Sequence, residues 1–203
     1  MVGLLTKLKQ RVQFWITAEA KLAHSVGLTP NQVSAMGILL AILSAFTYWT
    51  WRFHTFLLIL APILLLASSF CDALDGALAR LYGETTAFGG FLDSLLDRYA
   101  DAIIFGGIIL GGLCDLFWGI AALTGSLLVS YARARAEAAE AKMEAVGIAE
   151  RAERLIILTI ASFLTIAWRE ALSWGVILLA IITNLTVIQR VIYFHKASKR
   201  KEE

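Results

Sequence analysis

The chain has 203 residues, 59% of them hydrophobic and 17% charged, and a mean hydropathy of +0.72, whereas a soluble domain carries about a quarter charged residues. Those values exclude an ordinary soluble domain and predict an all-α integral membrane protein. A net charge of +2 is too small to point to a nucleic-acid partner, and Cys71 and Cys114, both in or beside apolar runs, read as reduced packing residues.

Leu4, Leu5, Leu8, Val12 and Trp15 recur at helical spacing with Lys7, Lys9 and Arg11 between them. This predicts an N-terminal amphipathic interfacial helix over residues 1–26. It lacks the uninterrupted apolar run and small-residue cleavage site of a removable signal peptide, so none is expected. Gly27 to Asn31 break the pattern, and Thr29 before Pro30 suits an N-cap followed by proline in the first turn. Uncharged stretches then run from Pro30 to Trp51, Thr55 to Cys71, Ala102 to Cys114, Leu116 to Ala132, Leu155 to Trp168 and Ala171 to Gln189. They predict six transmembrane helices as one bundle over 30–195, and the whole of 1–203 reads as a single membrane domain. The third and fifth stretches are short for a bilayer. Their helices are expected to extend back toward Phe88 and Glu150, with the charged turns facing protein or water. There is no internal repeat.

Positive charge is retained on the cytoplasmic side of a membrane. Of the 18 Lys and Arg, 16 fall in the N-terminal segment, the Arg80 to Arg98 region, the Tyr131 to Arg154 connection and the end from Arg190; only Arg52 and Arg169 fall in the opposite loops. The expectation is a multi-pass protein of the cytoplasmic membrane, with both termini and the acidic segment on the cytoplasmic face.

Asp72 and Asp75, three apart, share one helix face at the end of the second span; Asp93 and Asp97, four apart, share a face of the third. Four carboxylates gathered near hydrocarbon repel one another unless cations compensate them. A donor set of carboxylates alone selects a hard divalent ion, Mg²⁺ or Mn²⁺. Two such ions would clamp a phosphoryl transfer. The structural alternative is that these aspartates cap helices and pair with Arg80 and Arg98.

Asp72, Asp75, Gly76, Ala79, Arg80, Gly89, Asp93 and Asp97 fit the pattern D-x2-D-G-x2-A-R-x8-G-x3-D-x3-D, and in this the chain resembles the CDP-alcohol phosphotransferases. The resemblance implies a homodimer of six-span chains that replaces CMP in a CDP-linked lipid, CDP-diacylglycerol or CDP-archaeol, with an incoming hydroxyl. It implies that Asp72, Asp75 and Asp93 hold one Mg²⁺ and Asp72, Asp93 and Asp97 a second, with Mn²⁺ a possible substitute, and that Asp97 is also the general base. Asn31, Ser34 and Thr86 match nucleotide-contacting positions, and a plain helix N-cap is the alternative for Thr86. Gly76 would clear backbone for the nucleotide or serve close helix packing. Arg80 would offer its planar fork to the diphosphate or anchor the cytoplasmic end. Asp101, one turn beyond Asp97 and outside the pattern, is expected to order the metal ligands or to pair with a buried donor.

The connection from Ser130 to Leu155 carries Arg133, Arg135, Lys142, Arg151 and Arg154 along with Glu137, Glu140, Glu144, Glu150 and Glu153. By charge alone it reads equally as an acidic-acceptor pocket or as a solvated loop. Its wording, Ser-Tyr-Ala-Arg-Ala-Arg-Ala-Glu and Glu-Arg-Ala-Glu-Arg, is similar to the branch that uses inositol 1-phosphate. That likeness makes Arg135, Arg151 and Arg154 candidates for the acceptor phosphate; Lys142 and Arg190 join them on position. Glycerol 3-phosphate presents the same dianion and stays open as acceptor. A transporter or channel with an acidic cation site is the non-enzyme alternative, but the broken helices or inverted repeats it would more usually show are not evident.

Overall fold

The computed structural model describes residues 15–141, 143 and 146–202, and all regular structure among them is α-helical. The helices are α1 (15–25), α2 (Pro30–Thr50), α3 (Leu57–Tyr82), α4 (Ala87–Leu110), α5 (Leu116–Ala138), α6 (Arg151–Leu164) and α7 (Ala171–Glu202). The chain divides into two compact units: residues 1–43 with 63–100, and residues 44–62 with 101–203.

In the first unit, α1 buries Ala20 and Ala23 and packs Ile16 against a core of Val33, Cys71, Ala77 and Leu78. Trp15 and Leu22 of this helix, and Val26 just beyond it, are exposed. Leu4, Leu5, Leu8 and Val12 lie outside the described residues. The helix ends at Gly27, whose φ of +81° favours glycine, with the Leu28 N–H returning to the Ala23 carbonyl at 3.0 Å. Then α2 starts at Pro30 as the sequence suggests, through a reciprocal cap: the Thr29 N–H donates to Gln32 Oε1 at 3.0 Å and the Gln32 N–H to Thr29 Oγ1 at 3.4 Å. Gly37 brings α2 against α3. A β-carbon there would stand 3.2 Å from Cys71 Cβ, and the Ser68 hydroxyl donates to the Gly37 carbonyl at 2.8 Å.

The second unit is built on small residues, as helices in lipid require because apolar burial gives little drive to associate there. A β-carbon at Gly107 would collide with the backbone of Ala45, and one at Gly111 with the carbonyl of Tyr48. This Gly-x3-Gly step lets α4 lie on α2, and the Tyr48 hydroxyl meets Ser162 Oγ of α6 at 2.6 Å. A β-carbon at Gly125 would collide with the Thr183 side chain, and one at Gly175 would stand 2.5 Å from Ala161 Cβ. The connection after α5 is strapped to α7: the Ile148 and Ala149 N–H groups donate to Thr186 Oγ1. Both cysteines are free. Burial, and to a lesser degree the Asp115 carboxylate, push the Cys114 thiol up to about 11, which disfavours the thiolate.

Four of the helices, α2, α3, α5 and α7, are long and apolar enough to cross a membrane. The charges of α4 (Asp93, Asp97, Arg98 and Asp101) break its apolar run, although the helix does extend back to Ala87. Helix α6 extends back to Arg151 but stops at Leu164, short of the expected Trp168, so its 14 residues cover about 21 Å. The stop is a hydroxyl cap: Thr165 Oγ1 donates to the Ala161 carbonyl at 2.8 Å and accepts the Leu172 N–H at 3.1 Å, turning the chain into α7.

If the Gly-x3-Gly step sets this packing, Gly107→Ala and Gly111→Ala should each lower the unfolding free energy by about 1–3 kcal/mol in detergent. The neighbouring Gly106, where an added β-carbon meets open space, should tolerate alanine without loss. Thermal unfolding of the three variants measures the difference.

A candidate metal centre and a buried arginine pair

Carboxylate oxygens of Asp72 and Asp75 on α3 and Asp93 on α4 lie within 4.8 Å of one another. The close α2–α3 approach at Gly37 has a direct consequence one turn earlier: the Ser34 hydroxyl reaches Asp75, which is only 5% exposed, and donates to its Oδ2. Ser34 is thus engaged by a carboxylate, while Asn31, in the first turn of α2, is exposed. Three carboxylates this close, one of them buried, need a positive partner among them. Oxygen ligands alone suit a divalent ion of the Mg²⁺ or Mn²⁺ type. Asp97 is not part of that trio; its Oδ2 accepts from Arg98 Nη1 at 3.3 Å.

The flanking pattern residues have local tasks. Gly76 is bare where the Arg80 side chain folds back, so that a β-carbon would lie 3.2 Å from Arg80 Nη1. Neither the nucleotide reading nor the helix-packing reading of Gly76 included this. Thr86 is the N-cap of α4: its Oγ1 accepts the Gly89 N–H at 2.9 Å, and a β-carbon at Gly89 would press on it at 3.0 Å.

The basic residues fall into two sets. Asp101, 8% exposed, accepts from Arg154 Nη2 at 3.0 Å through Oδ2, and its Oδ1 lies 3.8 Å from Arg151 Nε; this is the buried donor expected for it. Arg190, 2% exposed, donates to the carbonyls of Val146 and Val129, and its electrostatic neighbours include Arg154 and Arg133. Arg135 instead lines a cavity of about 560 Å³ between α5 and α7, with Tyr131, Phe194 and His195. Arg190 also lines that cavity. Lys142 lies outside the described residues.

A model of the CDP-alcohol phosphatidyltransferase family matches residues 27–188, and that span holds the whole acidic motif. The chain belongs to this family. It is 44% identical over 201 residues to the archaetidylinositol phosphate synthase of Pyrococcus horikoshii, covering 98% of this chain and 99% of that protein. It is 43% identical over 175 residues to the enzyme of the same name from Methanothermobacter thermautotrophicus, 85% of this chain and 86% of the relative. The fold is similar to crystal structures of Mycobacterium tuberculosis phosphatidylinositol phosphate synthase. With CDP-DAG bound, that structure gives a TM-score of 0.76 at 31% identity, covering 88% of this chain and 92% of the other. In complex with manganese and citrate it gives the same score and identity over 88% of each chain.

Within the family site, two features escaped the sequence reading. One is Arg133: positions 133 and 135 are about 200° apart around α5, and Arg190 has Arg133 among its electrostatic neighbours while it shares the α5–α7 cavity with Arg135; Arg133 Nε also meets Glu137 Oε1 at 2.8 Å. The helical offset of two was the available signal. The other is the Gly76–Arg80 pairing, readable in principle from the (i, i+4) spacing.

Asp72→Asn should weaken Mn²⁺ binding at least about tenfold, since one of the three converging carboxylates loses its charge, and Ser34→Ala should weaken it by a smaller factor by releasing Asp75. Calorimetric titration with Mn²⁺ distinguishes these outcomes from an unchanged affinity, which would remove the trio as the metal centre.

Proposed function

We propose that the protein transfers a phosphatidyl- or archaetidyl-type group from a CDP-linked lipid to inositol 1-phosphate and releases CMP. The observation that carries this reading is the convergence of Asp72, Asp75 and Asp93 within 4.8 Å inside the family's motif. The near full-length likeness to archaetidylinositol phosphate synthases supports the choice of acceptor.

In this reading Asp72, Asp75, Asp93 and Asp97 hold two Mg²⁺ ions. The bound metal supplies charge neutralisation on the diphosphate and makes CMP a better leaving group. The chain's own residues do the rest. Ser34 holds the Asp75 carboxylate, and Asn31 and Thr86 frame the nucleotide. Gly76 leaves room for Arg80 to lie along α3 and offer its fork to the diphosphate. Arg135, Arg151, Arg154 and Arg190, joined by Arg133, hold the acceptor phosphate. Asp97 takes the proton of the attacking inositol hydroxyl as the new phosphorus–oxygen bond forms and the bond to the CMP oxygen breaks. Arg98, on the same carboxylate, holds Asp97 turned for that task.

The proposed setting is a six-span homodimer in the cytoplasmic membrane, with α4 and α6 as the two spans beyond those that length and composition mark. The skew of 16 of 18 basic residues supports both termini and the site lying on the cytoplasmic face.

Asp97→Asn should lower transfer by at least about a thousandfold while CDP-lipid binding persists, because asparagine keeps the shape and cannot accept the proton. Purified protein offered inositol 1-phosphate, free inositol, glycerol 3-phosphate and serine in turn should release CMP quickly only with the first. Equal rates with free inositol would mean that the arginines read no phosphate, and a preference for glycerol 3-phosphate would move the protein to a neighbouring acceptor. A cysteine placed at Ser198 (Ser198→Cys), in a variant without Cys71 and Cys114, should resist membrane-impermeant labelling from outside; efficient labelling would overturn the orientation.

A further inference from the structure

Asp101 is a buried acid that the proposed chemistry does not use. It sits four residues past Asp97 on α4, and its two oxygens are divided between two guanidinium groups, Oδ2 to Arg154 and Oδ1 to Arg151. Arg154 is fixed from a second side by its bond to the Ala149 carbonyl at 3.3 Å, and the N–H of Ala149 is in turn held by Thr186 of α7. The two arginines occupy the first turn of α6, where the positive end of the helix dipole disfavours them. Glu150 at the N-cap makes no side-chain cap bond. Arg190 adds a third guanidinium nearby. Glu150 and Glu137 also act on Arg190 and Glu153 shares the first turn of α6, while Asp101 ion-pairs with both Arg151 and Arg154. With Asp101 the pair keeps a single positive charge and a set orientation. Arg154 is 5% exposed, whereas the Arg151 side chain keeps 23% of its surface open.

We propose that Asp101 is a positioning residue for the acceptor: it orients Arg154 and Arg151 so that both present donors to one phosphate, and it thereby sets the acceptor's KM. This rests on the acceptor-phosphate reading above. A purely structural ion pair would act on the fold, and hence on both substrates alike; a positioning carboxylate acts on one.

The test is steady-state kinetics of purified wild type, Asp101→Asn, Asp101→Glu and Arg154→Ala with Mn²⁺, CDP-lipid in micelles and inositol 1-phosphate. Asp101→Asn should raise the acceptor KM roughly tenfold, as expected for a misoriented binding group, while the KM for CDP-lipid and the Mn²⁺ affinity stay within about twofold. Asp101→Glu keeps the charge but carries it one methylene further, and should raise the acceptor KM by less. An unchanged acceptor KM in folded Asp101→Asn, equal rises in both KM values, or a fall in the acceptor KM, which would mean that the carboxylate competes with the phosphate, each overturn the proposal. Should Asp101→Asn not fold, Asp101→Glu decides; should neither fold, Asp101 is a structural ion pair and the proposal fails. Arg154→Ala separates the two levels: no change in its acceptor KM sinks the acceptor reading. If wild type prefers glycerol 3-phosphate, the same comparison made with that phosphate still decides Asp101.

Discussion

Carboxylates on otherwise apolar helices stay ionised only where something positive or hydrogen-bonding meets each of them, and this constraint organises much of the protein. Asp75 has the Ser34 hydroxyl, Asp97 has Arg98, and Asp101 has Arg154 and Arg151. The trio of Asp72, Asp75 and Asp93 shares a space whose chemistry asks for a hard cation. Each acid therefore comes with a particular neighbour, and the neighbours account for residues that would otherwise look idle: a serine in the first turns of α2, an arginine beside an aspartate, an arginine pair opening α6.

Those neighbours are delivered by close helix packing. Gly37 admits α3 to α2 and so brings Ser34 to Asp75, while Gly107 and Gly111 admit α2 to α4 through the backbone of Ala45 and Tyr48. Where the backbones come this near, buried hydroxyls take up the polar work: Tyr48 with Ser162, Ser68 with the Gly37 carbonyl, and Thr186 with the connection before α6. In a bilayer such contacts replace part of what apolar burial does in water.

The sequence disclosed the helices and the acids because both signals are local. Uncharged runs mark α2, α3, α5 and α7, Thr29–Pro30 marks the start of α2, and Asp72, Asp75, Asp93 and Asp97 announce themselves by spacing. What stayed hidden depends on side-chain direction or on a distant partner. The early end of α6 comes from Thr165 reaching forward to Leu172, which no hydropathy pattern contains. Arg133 was no candidate in the sequence and stands among the electrostatic neighbours of Arg190, while Arg135, which was one, shares the α5–α7 cavity with Arg190. Thr86 fitted two tasks in the sequence, and the bond from the Gly89 N–H shows the cap at work.

The Arg80 side chain lying over the bare backbone of Gly76 bears on the entropy of binding. A free arginine side chain carries about 2 kcal/mol of rotamer freedom, much of which is surrendered when it grips an anion. Here the bare backbone of Gly76 leaves the exposed Arg80 side chain room to lie back along α3, and in the proposed reading a diphosphate would draw on an arginine already lying against its own helix. A β-carbon at 76, 3.2 Å from Arg80 Nη1, would oblige that side chain to give way by a few tenths of an ångström.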